Sequence, residues 1–361
     1  MVSSNLIAKA LKPRVFSSVK ELGQELIKTA MFHKKGQFFV INKPYAVSCL
    51  GYKQDHNGIF KDSRKSVKKT EPEDDFILED KSCNDLTIEK TLPFLNRALD
   101  EKNIHFCLGL KKYVSGPVVL PCSSEEFQRI KKSIQFSSTL STHGYMRYRA
   151  LTLCLGRPVD DFGTISGSIS FIKVGNHLEY IFEEKKVSRQ VIHKKNVINC
   201  TLNYKVIAWN GEISLIDMSF VKFNRHGPRI MLTHLGAPFL GDFIYWKRFR
   251  NIQGKMTEID LKSQEKFKQN YYYPEKLLET LNISRTDYKD IPLYFHVYES
   301  VFPRYLNTKL PTSADLVVMA PPPEHFEAMI RILGFKNEAI LAMENTKGDY
   351  DESDSDVISK L

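Results

Sequence analysis

Apolar positions change period several times along the chain. The short runs "QFFVIN" (37–42) and "PVVLP" (117–121) are bounded by polar, Gly or Pro residues and read as strands. "RYRALTLCLG" (147–156), "TISGSISFIKV" (164–174) and "LEYIFEE" (178–184) alternate as half-buried strands do. "LNYKVIAW" and "EISLIDMSFV" flank Asn210-Gly211, the strongest short hairpin signal, because a type I′ turn needs positive φ at both central residues. Helical spacing appears at 92–101 and at 123–136. In the second of these Ser123 and Glu126 form a capping box, Phe127, Ile130 and Ile134 share a face, and Lys131 and Lys132 point away from it. Past Arg250 the pattern predicts polar helix through "QEKFKQNYYYPEKLLETLNIS", then a strand in "IPLYFHVYESVF" and a helix in "PEHFEAMIRILGF". The sum is an α+β fold, a mostly antiparallel mixed sheet flanked by helices.

Other stretches lack either period. Residues 52–88 are polar and charge-mixed, which predicts a disordered insertion because so few apolar groups cannot offset the ordering entropy. Residues 336–361 end in an acidic run and predict a disordered tail. The first twenty residues hold Lys9, Lys12, Arg14 and Lys20 and no acid, with Leu6, Ile7, Ala10 and Leu11 on one helical face. That is transit-peptide composition, so 1–32 is expected to be a targeting or disordered segment and the protein to reside in the mitochondrial matrix. The alternative is an amphipathic helix packed on the domain. The domain itself is expected to span 33–335, with 251–335 as a C-terminal elaboration.

Charge narrows the function classes. The net charge of +10 over 361 residues favours a polyanionic partner, most simply RNA. Hydrophobic residues make up 42% of the chain, enough for a sizeable core, and no run approaches the ~20 apolar residues that span a bilayer. The six cysteines form no C-x-x-C pair, which argues against a zinc motif or a disulfide framework in the sequence; no metal and no cofactor are expected.

Four separated stretches carry the candidate chemistry. They are "INKP" (41–44), "LKKYVSGPVVL" (110–120), "MRYRALTLCLGRP" (146–158) and "NRHGPRIMLTHLGAPFLGDFIYW" (224–246). In this order and spacing they resemble the RluA-type pseudouridine synthases, over about residues 37–250, in the style of the divergent mitochondrial messenger-RNA members. "HLGAPFLGDFIY" is the most specific piece.

The resemblance implies a fold, an RNA substrate, cofactor-free isomerisation of uridine and a set of roles. The family's loop aspartate, counted back from Ser115-Gly116, falls on Lys111. Gly109 and Leu108 stand at the positions of its arginine and histidine. The family tyrosine that lies against the base falls on Tyr148, and the arginine that pairs with the catalytic carboxylate falls on Arg229. Gly227 and Pro228 replace the usual glutamine and isoleucine, and Asn224 stands where an arginine is expected. Asp242 matches a position that shapes the fold. Lys43, Lys112, Arg147, Arg225 and His226 are RNA-contact candidates. The residue-level alternatives are a core role for Tyr148, a phosphate contact for Arg229 and a solvated turn lysine at 111. Asp100 in "NRALDEK" is a poor substitute for the acid, since no T-S-G follows it and its spacing is helical.

A lysine cannot serve as a carboxylate, and Lys111 near Arg229 would set two cations together unless an anion such as an RNA phosphate filled the space. Three readings follow. The first is an active synthase with an unusual site. The second is a non-catalytic RNA-binding relative, and the third a protein scaffold, for instance in mitoribosome assembly.

Overall fold

The computed structural model describes residues 3–50, 52–54, 60–62, 86–140, 145–174, 177–188, 190, 192, 197–246, 248–252, 255–258, 273–284, 291–310, 313–347 and 355–358. The chain begins with α1 (Ser4–Leu11), α2 (Val19–Lys28), β1 (Phe32–Lys34), β2 (Phe38–Lys43), β3 (Tyr52–Gln54), β4 (Phe60–Asp62), α3 (Ile88–Ala98), β5 (Gly116–Pro121) and α4 (Ser124–Leu140). It continues with β6 (Tyr148–Leu155), β7 (Phe162–Val174), β8 (His177–Glu183), β9 (Ile198–Trp209), β10 (Ile213–Phe220), α5 (Gly227–His234), α6 (Phe243–Trp246), β11 (Phe249–Ile252) and β12 (Lys255–Glu258). It ends with α7 (Glu275–Leu281), β13 (Phe295–Phe302), β14 (Asp315–Met319), α8 (Glu324–Leu333), α9 (Lys336–Lys347) and β15 (Ser355–Ile358).

These elements fall into two compact units that the chain visits alternately. The first unit holds Met1–Pro13, Tyr148–His296 and Glu324–Asn345. Its frame is an antiparallel sheet in the order β6-β10-β9-β7-β8. Leu151, Leu153, Leu155, Leu202, Leu215 and Ile216 are buried on it, but β6 buries residues 150–155 without a break and β10 buries 213–216, so these strands are covered on both faces rather than half-buried as the alternation predicts. The second unit holds Arg14–Arg147, Val297–Pro323 and Thr346–Leu361. In it β1, β2 and β5 form an antiparallel ladder, β13 pairs antiparallel with β14, and β14 pairs parallel with β15. Met31, Phe38, Val40, Val119, Ile130, Phe302, Tyr305, Leu316 and Val318 make one core there, with Cys107 and Ile134 packed against it. The described cysteines are free thiols.

Half of the α4 capping box forms: the Glu126 N–H donates to Ser123 Oγ at 3.3 Å. The Glu126 side chain is drawn elsewhere, into an ion pair with Arg129 and a short hydrogen bond from the Tyr305 hydroxyl. The Asn210-Gly211 hairpin is real, but its turn is not type I′. Only Gly211 has positive φ (100°), because the Asn210 side-chain oxygen accepts the N–H groups of Glu212 (3.1 Å) and Ile213 (2.9 Å) and holds the turn by itself. Asn210→Ala therefore removes two acceptor contacts. We expect it to lower stability by about 1 kcal/mol, read from the urea midpoint at unchanged m-value.

Several sequence expectations are revised. The 1–32 segment is folded where described: Ala10 is fully buried, Lys9 pairs with Glu324 at 2.6 Å and the Tyr294 hydroxyl donates to the Ala10 carbonyl at 2.9 Å. In the second unit Leu22 and Leu26 of α2 are buried as well. α1 and α2 are thus each packed within their own unit rather than disordered. Of the expected tail, residues 348–354 and 359–361 lie outside the described residues. α9 buries Ala339 and Met343, and β15 adds a parallel strand. Within 52–88, Tyr52–Gln54 pairs with Phe60–Asp62; residues 63–85 lie outside the described residues. After the β11–β12 hairpin, the stretch expected to be helical, 264–284, contains α7, and its residues 264–272 lie outside the described residues. Residues 104–110 have no regular secondary structure. They lead to a turn closed by the Val114 N–H on the Lys111 carbonyl at 3.0 Å.

Gly116 opens β5 with φ +142°, and a Cβ there would lie 2.2 Å from the Val297 carbonyl oxygen. The step out of the 110–116 loop therefore requires glycine, both for its dihedral and for the close approach of a second backbone.

Candidate nucleic-acid interface

In the first unit the candidate residues gather around the start of α5. The chain makes its corner with two consecutive non-glycine residues in the left-handed region, Arg225 (φ 51°) and His226 (φ 56°). Such backbone costs roughly 1–3 kcal/mol per residue and persists only where its surroundings over-determine it. Here they do. Arg225 donates to the Ile169 carbonyl at 3.0 Å and lies over the Phe171 ring. His226 Nδ1 meets the Tyr245 hydroxyl at 2.9 Å, with its ring edge-on to Tyr180 and Tyr245.

One turn on, Arg229 makes a two-point pair with Asp242. Nε donates to Oδ2 and the guanidinium's second nitrogen donates to Oδ1, each at 2.8 Å. Both side chains are buried, with 5% and 0% exposure. The same Oδ1 also accepts the N–H groups of Ile244 (3.1 Å) and Tyr245 (3.3 Å), so Asp242 caps the short α6 helix. Burial pushes the Asp242 carboxyl up. The Arg229 charge and its hydrogen bonds, with His226 and the Tyr245 N–H, more than offset that and hold it below the usual carboxylate range. Tyr245 is clasped between the guanidinium groups of Arg229 (5.4 Å) and Arg248 (4.6 Å), a paired cation–π arrangement. Arg248 is itself tied to Glu179 at 3.0 Å and to the Tyr180 carbonyl at 2.8 Å.

Tyr148 opens β6 and is 4% exposed. Its ring packs on Phe220 and Phe223 at 5.5 and 5.0 Å, and those rings contact Phe295. The ring is thus a core element at the sheet end, the alternative named for it above.

In the second unit Lys43 is fully buried. Its three ammonium protons match three carbonyls, Val114 (2.7 Å), Pro44 (2.9 Å) and Lys112 (3.3 Å). The lysine staples β2 to the 111–114 turn. Lys43, expected as an RNA contact, therefore turns its ammonium inward to these carbonyls. Arg147 is also no surface contact: it is 4% exposed and lies 4.9 Å over the Phe302 ring. Lys111 and Lys112 are half-buried on the turn itself. Arg225 and His226, expected as RNA contacts, are buried at the corner that they stabilise.

The structure thus brings Arg225, His226 and Arg229 together with Asp242, Tyr245 and Arg248, and it sets Lys43 beneath the turn that carries Lys111 and Lys112. Sequence reasoning missed Tyr245, Arg248 and Glu179. Tyr245 and Asp242 lie inside "LGDFIYW", which offered a signal; Arg248 and Glu179 sit outside any motif.

Comparisons with known proteins bear on the same elements. No protein-family model matches the sequence, and no curated protein matches it. Among solved structures, human RNA pseudouridylate synthase domain containing 4 superposes with a TM-score of 0.56 at 16% identity, covering 88% of this chain and 97% of that one. The chain has the pseudouridine synthase fold. Human RNA pseudouridylate synthase domain containing 1 also aligns, over 80% of this chain and 82% of that one at 13% identity, with a TM-score of 0.42 that adds nothing to the assignment. The resemblance puts the family acid at Lys111, and the arginine that it pairs with that acid, Arg229, is held here by Asp242.

Proposed function

We propose that this chain is an RNA-binding protein on the pseudouridine synthase fold that does not isomerise uridine, and that its RNA is mitochondrial. One observation carries the reading. Arg229 is held at two points by the buried Asp242, while the loop position that the resemblance assigns to the catalytic acid holds Lys111. Base detachment in that family needs an ionised carboxylate at the sugar, and a lysine supplies an anion-binding group in its place. Excess positive charge and the name of the structural relative support RNA as the ligand. The matrix location rests on the acid-free basic start; fusing residues 1–32 to a reporter and imaging it tests that part.

Mapping pseudouridine in mitochondrial RNA with and without the protein tests the rest. Unchanged maps with altered RNA levels are expected. Loss of defined sites, restored by wild type and not by Tyr148→Phe, would establish an enzyme. Crosslinking that recovers proteins alone would favour a scaffold in mitoribosome assembly. Lys111→Ala should weaken binding to a single-stranded RNA and flatten its salt dependence by about 0.7 in log–log slope, the share of one phosphate contact. An unchanged slope would remove Lys111 from the binding surface.

A further inference from the structure

Three chemically distinct ligand groups, far apart in sequence, meet in the second unit. His33 Nε2, a Glu101 carboxylate oxygen and Cys122 Sγ all lie within 4.8 Å of one another. Each stands on an element fixed by backbone hydrogen bonds. His33 is in β1, in register opposite Phe39 of β2, and its ring is edge-on to the Phe39 ring. Glu101 follows the end of α3, where its N–H closes on the Asn96 carbonyl at 2.9 Å and Asp100 takes positive φ (52°). Cys122 follows β5, and its N–H is bonded to the Gln37 carbonyl in the β1–β2 turn at 2.7 Å. The same turn donates the Gly36 N–H to Glu101 Oε1 at 2.9 Å, and His33 Nε2 meets that oxygen at 2.8 Å.

We propose that His33, Glu101 and Cys122 form a three-ligand site for a divalent zinc-class ion, with a fourth position on the solvent side of His33. Zinc takes imidazole nitrogen, carboxylate oxygen and thiolate sulfur at about 2.0–2.3 Å in tetrahedral array, which places ligand atoms roughly 3.3–3.7 Å apart. A cluster within 4.8 Å needs only small side-chain shifts to meet that spacing, chiefly an opening of the His33–Glu101 contact. The charge also balances: one carboxylate and one thiolate neutralise a dication. A soft sulfur beside a borderline nitrogen selects zinc or its cobalt surrogate over magnesium or calcium. Access fits the assignment, since the Glu101 side chain is 4% exposed and His33 is 26% exposed. Zinc takes cysteine as the thiolate, so binding is expected to release a proton and to strengthen as pH rises. The ion would clip the exit of α3 to the hairpin and to the end of β5.

The test uses the purified full chain. Zinc retained after desalting, measured by mass spectrometry, should approach one equivalent. Titration with Co(II) should give the near-ultraviolet absorption of a thiolate–cobalt bond. Cys122→Ser should abolish that band, His33→Gln should weaken binding at least tenfold, and Cys200→Ser, in the other unit, should leave the band in place. His33 is partly exposed, so His33→Gln remains informative if Cys122→Ser does not fold. Failure of wild type to take up zinc or cobalt would overturn the site. So would a band that survives both Cys122→Ser and His33→Gln, or one that is lost in Cys200→Ser. If wild type takes up no metal while Glu101→Gln lowers the melting temperature, the cluster is a hydrogen-bonded pin of the hairpin and the metal assignment is wrong. Pseudouridine mapping has no part in this test, so its outcome is separable from that of the proposed function.

Discussion

Asp242→Asn is expected to destabilise the protein by about 3–5 kcal/mol, the loss measured when one partner of a buried ion pair is removed and the other charge stays behind. Arg229 would then be buried beside a neutral amide, and the cap on α6 would be weakened. The pH dependence separates this from a simple packing defect. The folded Asp242 carboxyl is held below its unfolded value, so its contribution is fully present above about pH 4 and is lost as pH falls through the folded value. The gap between wild type and Asp242→Asn in urea midpoint should accordingly be constant near neutrality and narrow in acid. Replacing both partners, with Arg229→Met and Asp242→Leu, should recover most of the loss, because the desolvation cost of both charges disappears with them. A single variant as stable as wild type at pH 7 would show that the pair contributes nothing net, and would release Arg229 for a role toward a ligand.

Lys43→Met is the second large expected effect. It removes one ammonium from three carbonyls and leaves buried acceptors unsatisfied, at roughly 3 kcal/mol after relaxation. The damage should be local. The Val114 N–H, bonded to the Lys111 carbonyl, should lose hydrogen-exchange protection before the sheet does. Lys43→Arg should not rescue it, since a planar fork cannot replace a point donor at the centre of three carbonyls. The salt slope of RNA binding should stay unchanged in any folded Lys43 variant. A slope reduced by about 0.7 would instead mark Lys43 as a phosphate contact. Through this residue the geometry of the Lys111 turn depends on a charge that never reaches the surface.

The two predictions mark where sequence reasoning reached and where it stopped. The apolar runs in 147–184 and 202–221 were enough to place the strands of the antiparallel frame, whereas the burial of both faces of β6 and β10 was not legible in their period. Ser123 capped its helix as expected, since a cap is a contact over three residues. Asn210-Gly211 announced a hairpin, although the side chain of Asn210 took the turn to a different type. Composition did not show that the first helix packs: Ala10 is fully buried and its carbonyl accepts from Tyr294, 284 residues away, a partner that no local window contains.

For the site, the order of the four motifs and the lysine at 111 were legible along the chain, and both bear directly on what chemistry the protein can perform. That Lys43 is a buried staple, that Tyr148 is packed among phenylalanines, that Asp242 occupies Arg229 and that residues 33, 101 and 122 share a cluster were decided by tertiary structure alone. The physical reason is the same in each case. Secondary structure responds to near neighbours and their period, whereas the state of a charged or ligating side chain is set by whatever the fold packs against it. In a buried setting a single carbonyl, carboxylate or ring outweighs everything that the residue's type and position in the sequence suggest.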